Sequence, residues 1–378
     1  IIAILEGVGY MSRAAFLMDR VMGKAGLEGR AFVALLSSFA CAIPGIMATR
    51  TLPSAKDRLA TMLAAPLMTC SARLPVYVIM ISLLVDSDAR IGPFGARGTI
   101  MFGLYLLGAF SAMLVAWVAK RLTDRDGVLL PFYMEMPPYR LPRPRTVAVM
   151  VWDACKGFLK KAGTIITLTT LVLWVLLNVP MRSDADFEAA CARSAECSAI
   201  TAAVDNPAAS TVLDDEGEPI TDADELDALL EAQKTSYTMD NSWAATIGKA
   251  VEPVFEPLGF DWRINVSILS SLAARETFVA TLGQISAAED PEAPSAHLAT
   301  MTYQEDTLTN KAGDPLFNSA TLAAILVFFV YALQCMATAG AMRRETGTWK
   351  WPLVAYGYMF VTAWVMAALA RTIVAALL

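Results

Sequence analysis

Long apolar runs, separated by short polar stretches, dominate the chain. Apolar sequence fills 31–48, 59–85, 99–119, 162–179, 264–285, 320–342 and 351–378. Several approach the roughly 20 residues that carry a helix across a bilayer. The pattern predicts an all-α, polytopic transmembrane helical protein. Three runs are not clean. Pro44 and Gly45 sit inside the first. Proline lacks an N–H and its ring clashes with the preceding turn, so a continuous helix is not expected there. Backbone groups freed in hydrocarbon cost several kcal/mol each, and such a break survives only beside protein or a water-filled cavity. Cys41, a soft ligand, stands three residues ahead of the proline. This broken or re-entrant segment is the first candidate for a substrate site. The second run carries Arg73-Leu74-Pro75 and the fifth carries Arg275-Glu276. Charges at such depth normally face a cavity or a partner.

Polar sequence between the runs sorts by sign. Residues 121–161 are rich in Lys and Arg and carry a proline cluster. The positive-inside rule makes them a cytoplasmic linker, with an amphipathic helix over 147–161 at the membrane surface. Residues 181–262 are acidic and predict an extracytoplasmic insert with one solvated helix over 222–233. Cys191 and Cys197 lie in it and could pair in an oxidising compartment. The expected order is a first membrane half (1–120), the basic linker (121–161), a span (162–180), the acidic insert (181–262) and a second membrane half (263–378).

Composition agrees with a membrane protein. Of 378 residues, 56% are hydrophobic and 17% charged, with mean hydropathy +0.49, against about 25% charged in an ordinary soluble chain. No basic stripe with interleaved aromatics points to nucleic acid. The single histidine, His297, rules out a His-rich metal site within one chain, and six scattered cysteines form no C-x-x-C pair. The apolar start, Ile1-Ile2-Ala3-Ile4-Leu5, without methionine, leads us to expect further sequence upstream.

An internal repeat organises the rest. Gly26-Leu27-Glu28-Gly29-Arg30 through Ser37-Ser38-Phe39-Ala40-Cys41 aligns without gaps on Gly259-Phe260-Asp261-Trp262-Arg263 through Ser270-Ser271-Leu272-Ala273-Ala274, 233 residues further on. The glycine, the arginine, both serines and the alanine after them are identical. Basic loops flank the first copy and acidic stretches the second. Both ends of copy one therefore face the cytoplasm and both ends of copy two face outside. Such an inverted repeat of broken segments, about 26–48 and 259–285, describes a transporter or gated pore with its site near the midplane.

Several stretches also resemble one known family. Gly9-Tyr10-Met11-Ser12-Arg13-Ala14-Ala15-Phe16, Met47-Ala48-Thr49-Arg50-Thr51, Asp57-Arg58-Leu59, Cys70-Ser71-Ala72-Arg73-Leu74-Pro75-Val76-Tyr77, Gln334-Cys335-Met336-Ala337-Thr338 and Arg344-Glu345-Thr346-Gly347 resemble the membrane domain of the ferrous iron transport protein B family (FeoB). The resemblance covers most of the chain outside the acidic loops. It implies Fe(II) as transported substrate, a bacterial or archaeal cytoplasmic (inner) membrane, and two "gate" motifs matching the two repeat copies. It implies small cytoplasmic accessory proteins of the ferrous iron system as partners, and leaves room for a homo-oligomer. GTP and Mg belong to a cytoplasmic GTP-binding domain that normally precedes the membrane part. No G-x-x-x-x-G-K-S/T loop occurs in this chain, so hydrolysis is not expected of it. Family members usually carry Gly-Cys-Asn-x-Pro at the first gate, where this chain has Ala40-Cys41-Ala42-Ile43-Pro44.

Fe(II) accepts thiolate, carboxylate and carbonyl ligands. With the resemblance, the candidate metal contacts are Cys41, Cys70, Cys335, Glu276 and Glu6. Candidate gating or structural residues are Pro44, Arg73, Pro75, Arg275, Ser37, Ser38, Ser270 and Ser271. An arginine repels a cation, so Arg73 and Arg275 suit structure or gating, and Glu276 either pairs with Arg275 or touches the ion. Buried cysteines are more commonly plain packing. Two other readings stand: a carrier of nucleosides or organic solutes built on broken helices, and a non-transport membrane receptor whose external insert binds a partner.

Overall fold

The computed structural model describes residues 8–86, 89–91, 93–123, 139, 144–178, 184–205, 222–272, 275–289, 298, 300–303, 310–332 and 335–377. Among them strand pairing is confined to a two-residue hairpin, β1 (Arg90–Ile91) with β2 (Phe94–Gly95), an isolated Thr302–Pro315 bridge and a bridge residue at Ser242. Four stretches are long and apolar enough to cross a membrane: Ala55–Leu84, Ala96–Leu122, Ser319–Thr346 and Lys350–Leu377. The chain is an all-α, multi-pass membrane protein. It divides into two compact units: Ile1–Thr167 with Ser271–Glu276 and Asn318–Leu378, and Leu168–Ser270 with Thr277–Phe317.

The first unit begins with α1 (Tyr10–Lys24), a turn through left-handed Gly26, and α2 (Arg30–Ala40). The Asp19 carboxylate accepts the Gly29 N–H at 2.8 Å, setting the angle between the two helices. The chain then reverses at Cys41, and α3 (Ala42–Ala48) runs back along α2. A β-carbon added at Gly45 would lie 1.9 Å from Ser38 Oγ and 2.7 Å from the Ala34 carbonyl oxygen. Only glycine allows the two arms to approach this closely.

Next come α4 (Ala55–Ala64), α5 (Leu74–Leu84) and the uninterrupted α6 (Ala96–Thr123). Between α4 and α5 the backbone loosens into 3-10 turns at Ala65–Leu67 and Ser71–Arg73, with an extended Cys70 between them. Lys120 at the end of α6 pairs with Asp57 at the start of α4. The helix α14 (Ser319–Tyr331) is buried on nearly every side, as expected of a central helix. It packs along α16 (Lys350–Leu377), which turns Ala355, Met359, Ala363 and Ala367 inward at fourfold spacing. Small residues at this spacing let helix axes draw close. The opposite side of α16 exposes Leu353, Val361, Val365, Leu369 and Ile373, as a lipid-facing surface does. Between these two helices lies α15 (Met336–Thr346), ended by left-handed Gly347.

Between α6 and α14 the chain forms α7 to α13. The helix α7 (Pro144–Asn178) is continuous. The amphipathic helix and the span expected as separate elements are thus one, because no proline or turn cluster separates Lys161 from Ala162. In the second unit, α8 (Asp184–Cys191) and α9 (Ala195–Asp205) are joined by a Cys191–Cys197 disulfide. The predicted helix over 222–233 extends further, as α10 (Ala223–Asp240). Then follow α11 (Trp243–Phe255), capped by Ser242, α12 (Trp262–Ser271) and α13 (Thr277–Glu289).

The two repeat copies share local structure. Gly26 and Gly259 are both left-handed, with φ of 74° and 78°. Glu28 pairs with Arg30 at 3.3 Å, and Asp261 approaches Arg263 at 4.0 Å. Each copy then runs helix, interruption, helix. The matched acidic and arginine positions are a local clasp at the mouth of the broken helix.

Replacing Gly45 by Ala should destabilise the protein by about 1–3 kcal/mol, the usual cost of overpacking a tight contact. Gly103→Ala, where an added β-carbon meets nothing within 4 Å, should be near neutral. Thermal unfolding of the purified variants in detergent checks the pair.

Candidate functional site

Four helix interruptions carry the chemistry of the first unit. The first lies at Cys41, whose backbone is extended (φ −159°, ψ 137°). The sequence places this break at Pro44, but the structure puts it three residues earlier. A proline ring excludes the carbonyl four residues back, here that of Ala40, while proline itself fits the first turn of a new helix. Pro44 therefore starts α3 and breaks the chain ahead of itself. The freed Ala40 carbonyl accepts the Ser71 hydroxyl at 2.9 Å.

Ser71 belongs to the second interruption, beside Cys70 (φ −86°, ψ 164°). Arg73 is fully buried there. Its guanidinium donates to the carbonyls of Pro66 (3.1 Å), Leu67 (3.2 Å) and Met68 (3.4 Å). Those are the acceptors left over where α4 stops, so Arg73 is the cap of the broken helix. Pro75 lies in the first turn of α5, where its missing N–H costs nothing.

A third interruption, with Leu272 and Arg275 in it, separates α12 from α13, and a fourth, with Ala332 and Cys335 in it, separates α14 from α15. Cys335 is again extended (φ −161°, ψ 101°). The Met336 N–H donates to the Leu272 carbonyl at 3.0 Å, tying these two breaks together. Arg275, 4% exposed, donates to Cys70 Sγ at 3.3 Å and to the Ala332 carbonyl at 3.4 Å. It points at these acceptors rather than at its neighbour Glu276. Bonds between the breaks thus join Ala40 to Ser71, Cys70 to Arg275 and Leu272 to Met336.

Three cysteines occupy three of the four interruptions, each in extended backbone. Cys70 is buried; Cys41 and Cys335 are half-buried, and all three are free thiols. Cys41 lies within electrostatic range of Cys70, Cys335 and Arg275. Among the described residues no three or more His, Cys, Asp or Glu side chains converge as a ready metal cage. Glu276 is exposed. Glu6 and His297 lie outside the described residues. The serines work inside their helices: Ser37 donates to the Val33 carbonyl (2.8 Å), Ser38 to that of Ala34 (2.9 Å) and Ser270 to that of Ser267 (2.7 Å). Ser271 is buried.

Sequence reasoning missed three features. Thr69 and Tyr77 bring two buried hydroxyls beside Cys70. Glu345 at the end of α15 accepts from Arg50 (2.9 Å) and Arg58 (2.7 Å), whose positions follow α3. Asp57 finds its partner in Lys120. For the charged pairs the only signal was opposite charge near the ends of apolar runs, which does not say which ends meet.

With this geometry in view, comparisons with known proteins are informative. A family model described as gate, nucleoside recognition, matches residues 1–84 and 159–349. A model described as ferrous iron transport protein B C terminus matches residues 101–153. The chain is 36% identical to an Fe(2+) transport protein A/Fe(2+) transporter FeoB fusion protein of Porphyromonas gingivalis, over 97% of this chain and 40% of that protein. It is 36% identical to an Fe(2+) transporter FeoB of Leptospira interrogans, over 96% of this chain and 46% of the relative. An Fe(2+) transporter FeoB of Campylobacter jejuni is 32% identical, over 97% and 50%. The chain therefore spans about half the length of these curated relatives or less. No solved structure matches it. Its matched segments run through all four interruptions, and the chain belongs to the gate family, in the form carried by the FeoB membrane domain.

Proposed function

We propose that the chain is the permease portion of an Fe(II) transporter in the cytoplasmic (inner) membrane of a bacterium or archaeon. The observation that carries this reading is the coincidence of three free cysteines with three breaks in apolar helices. A break frees carbonyl oxygens, and a cysteine adds a soft sulfur. Together they form the mixed donor set that Fe(II) accepts. The relatives' names, Fe(2+) transporter FeoB, support the substrate.

In this reading Fe(II) sheds water to one or two thiols and to carbonyls at the breaks around Cys41, Cys70 and Cys335. Binding by all three thiols at once would hold the ion too tightly for release. Glu276 contacts the hydrated ion at the edge of this path, and Glu6 stays a candidate contact on sequence grounds. Arg73 caps and Pro44 and Pro75 set the breaks. The chain itself hydrolyses nothing. A GTP-binding domain and small accessory proteins are the expected partners, the latter supported by the fusion of transport protein A to FeoB in one relative. The two copies re-enter from opposite faces, with 121–161 cytoplasmic and the insert 181–262 outside. The Cys191–Cys197 disulfide supports that orientation, since disulfides persist in oxidising compartments.

A carrier of nucleosides is the second reading, favoured by the description of the gate model. It calls for hydrogen-bonding Asn, Gln and Glu at the breaks, which are sparse here, and Cys41 is present instead.

Iron uptake into cells by the intact protein separates the readings. Cys70→Ser and Cys41→Ser, made singly, should each lower Fe(II) uptake at least tenfold. Cys155→Ser, at an exposed thiol on α7, should leave it unchanged. Uptake undiminished in both Cys41→Ser and Cys70→Ser contradicts the proposal. Orientation is checked with a membrane-impermeant maleimide on intact cells. Glu231→Cys on α10 should label from outside, and Thr51→Cys should label only after the cells are opened.

A further inference from the structure

Arg275 is poorly matched to its surroundings in one respect. Its guanidinium is buried, yet no carboxylate is among its hydrogen-bond acceptors. It touches a soft sulfur, Cys70 Sγ at 3.3 Å, and a backbone oxygen, that of Ala332 at 3.4 Å, while its Nε finds no acceptor. Neither acceptor is a carboxylate oxygen, so the guanidinium lacks the close ionic partner that a charge-assisted bond normally has. Arg73, nearby and fully buried, also lacks a carboxylate and leaves its Nε unpaired, but three carbonyl oxygens gather around it where Arg275 has one. Beside Cys70 the Thr69 and Tyr77 hydroxyls are fully buried and face each other without closing a full-length hydrogen bond. The sulfur and the carbonyl that Arg275 holds, with these hydroxyls near, are donor types that a divalent cation accepts. A positive charge already rests on the first two.

We propose that Arg275 is a tethered cation that occupies the Cys70–Ala332 position and has to withdraw before a divalent ion binds there. The inference rests on the reading of Cys70 as part of the transport path. On binding, the Cys70 thiol releases its proton to water as the metal–sulfur bond forms, and the guanidinium moves off the sulfur. No electron is transferred. Arg275 lies in the third interruption, and the carbonyl of Leu272, three residues before it, accepts the Met336 N–H at the fourth. Its withdrawal therefore moves with the breaks. A site whose own side chain competes with the ion binds weakly and releases readily, as a carrier requires.

The test uses Co(II) as probe, added to the intact protein in lipid nanodiscs, with sulfur-to-cobalt charge-transfer absorption as readout. Arg275→Gln should bind Co(II) at least tenfold more tightly than the wild type. The double variant Arg275→Gln/Cys70→Ser should lose the absorption. Where Arg275→Gln does not fold, Arg275→Lys carries the test. Its compact ammonium cannot span both acceptors, so affinity should rise at least threefold. A Cys70-dependent band whose affinity ignores residue 275 overturns the tethered cation and leaves the path intact. The absence of any Cys70-dependent band, in wild type and variants alike, removes Cys70 from the path and the proposal with it.

Discussion

A carbonyl or amide released inside an apolar segment must find a partner, and that constraint governs the first unit. Four helices are interrupted at depth, and each interruption frees backbone groups that lipid cannot satisfy. The Ala40 carbonyl goes to Ser71, those of Pro66, Leu67 and Met68 to Arg73, that of Leu272 to the Met336 amide, and that of Ala332 to Arg275. Much of the satisfaction comes from another break rather than from an unbroken helix. The breaks therefore stabilise one another.

This arrangement also explains how distant parts could act together. The arms that leave two of the breaks, α3 from Cys41 and α15 from Cys335, pack against each other. Beyond their far ends, Glu345 is gripped by Arg50 and Arg58. Packed helices thus connect two of the cysteine positions with each other and with an ion-pair cluster.

The sequence discloses much of this and misses the rest for physical reasons. Apolar run length marks the four stretches long enough to cross a membrane, Ala55–Leu84, Ala96–Leu122, Ser319–Thr346 and Lys350–Leu377, since a helix must satisfy its backbone internally. The gapless repeat, with its glycine, acid, arginine and paired serines, foretold two copies of one local structure. A proline inside an apolar run marked the first break, though its position needed the steric rule that displaces the fault to Cys41. What stayed hidden is tertiary. Cys70 and Arg275 are 205 positions apart in the chain, and nothing local says that they touch. Nothing local pairs Glu345 with Arg50 or Arg58, which lie 295 and 287 positions earlier. The fusion of the amphipathic and apolar parts of α7 was missed because a change of composition was taken as a boundary where no helix breaker stands.

The central claim is that sulfur at these interruptions meets the metal. Iron X-ray absorption of the intact protein loaded with Fe(II) under reducing conditions tests it most directly. The account predicts one or two sulfur neighbours in the first shell of iron, lost when Cys41, Cys70 and Cys335 are all replaced by serine. A shell made only of oxygen and nitrogen, the same with and without those thiols, would contradict it.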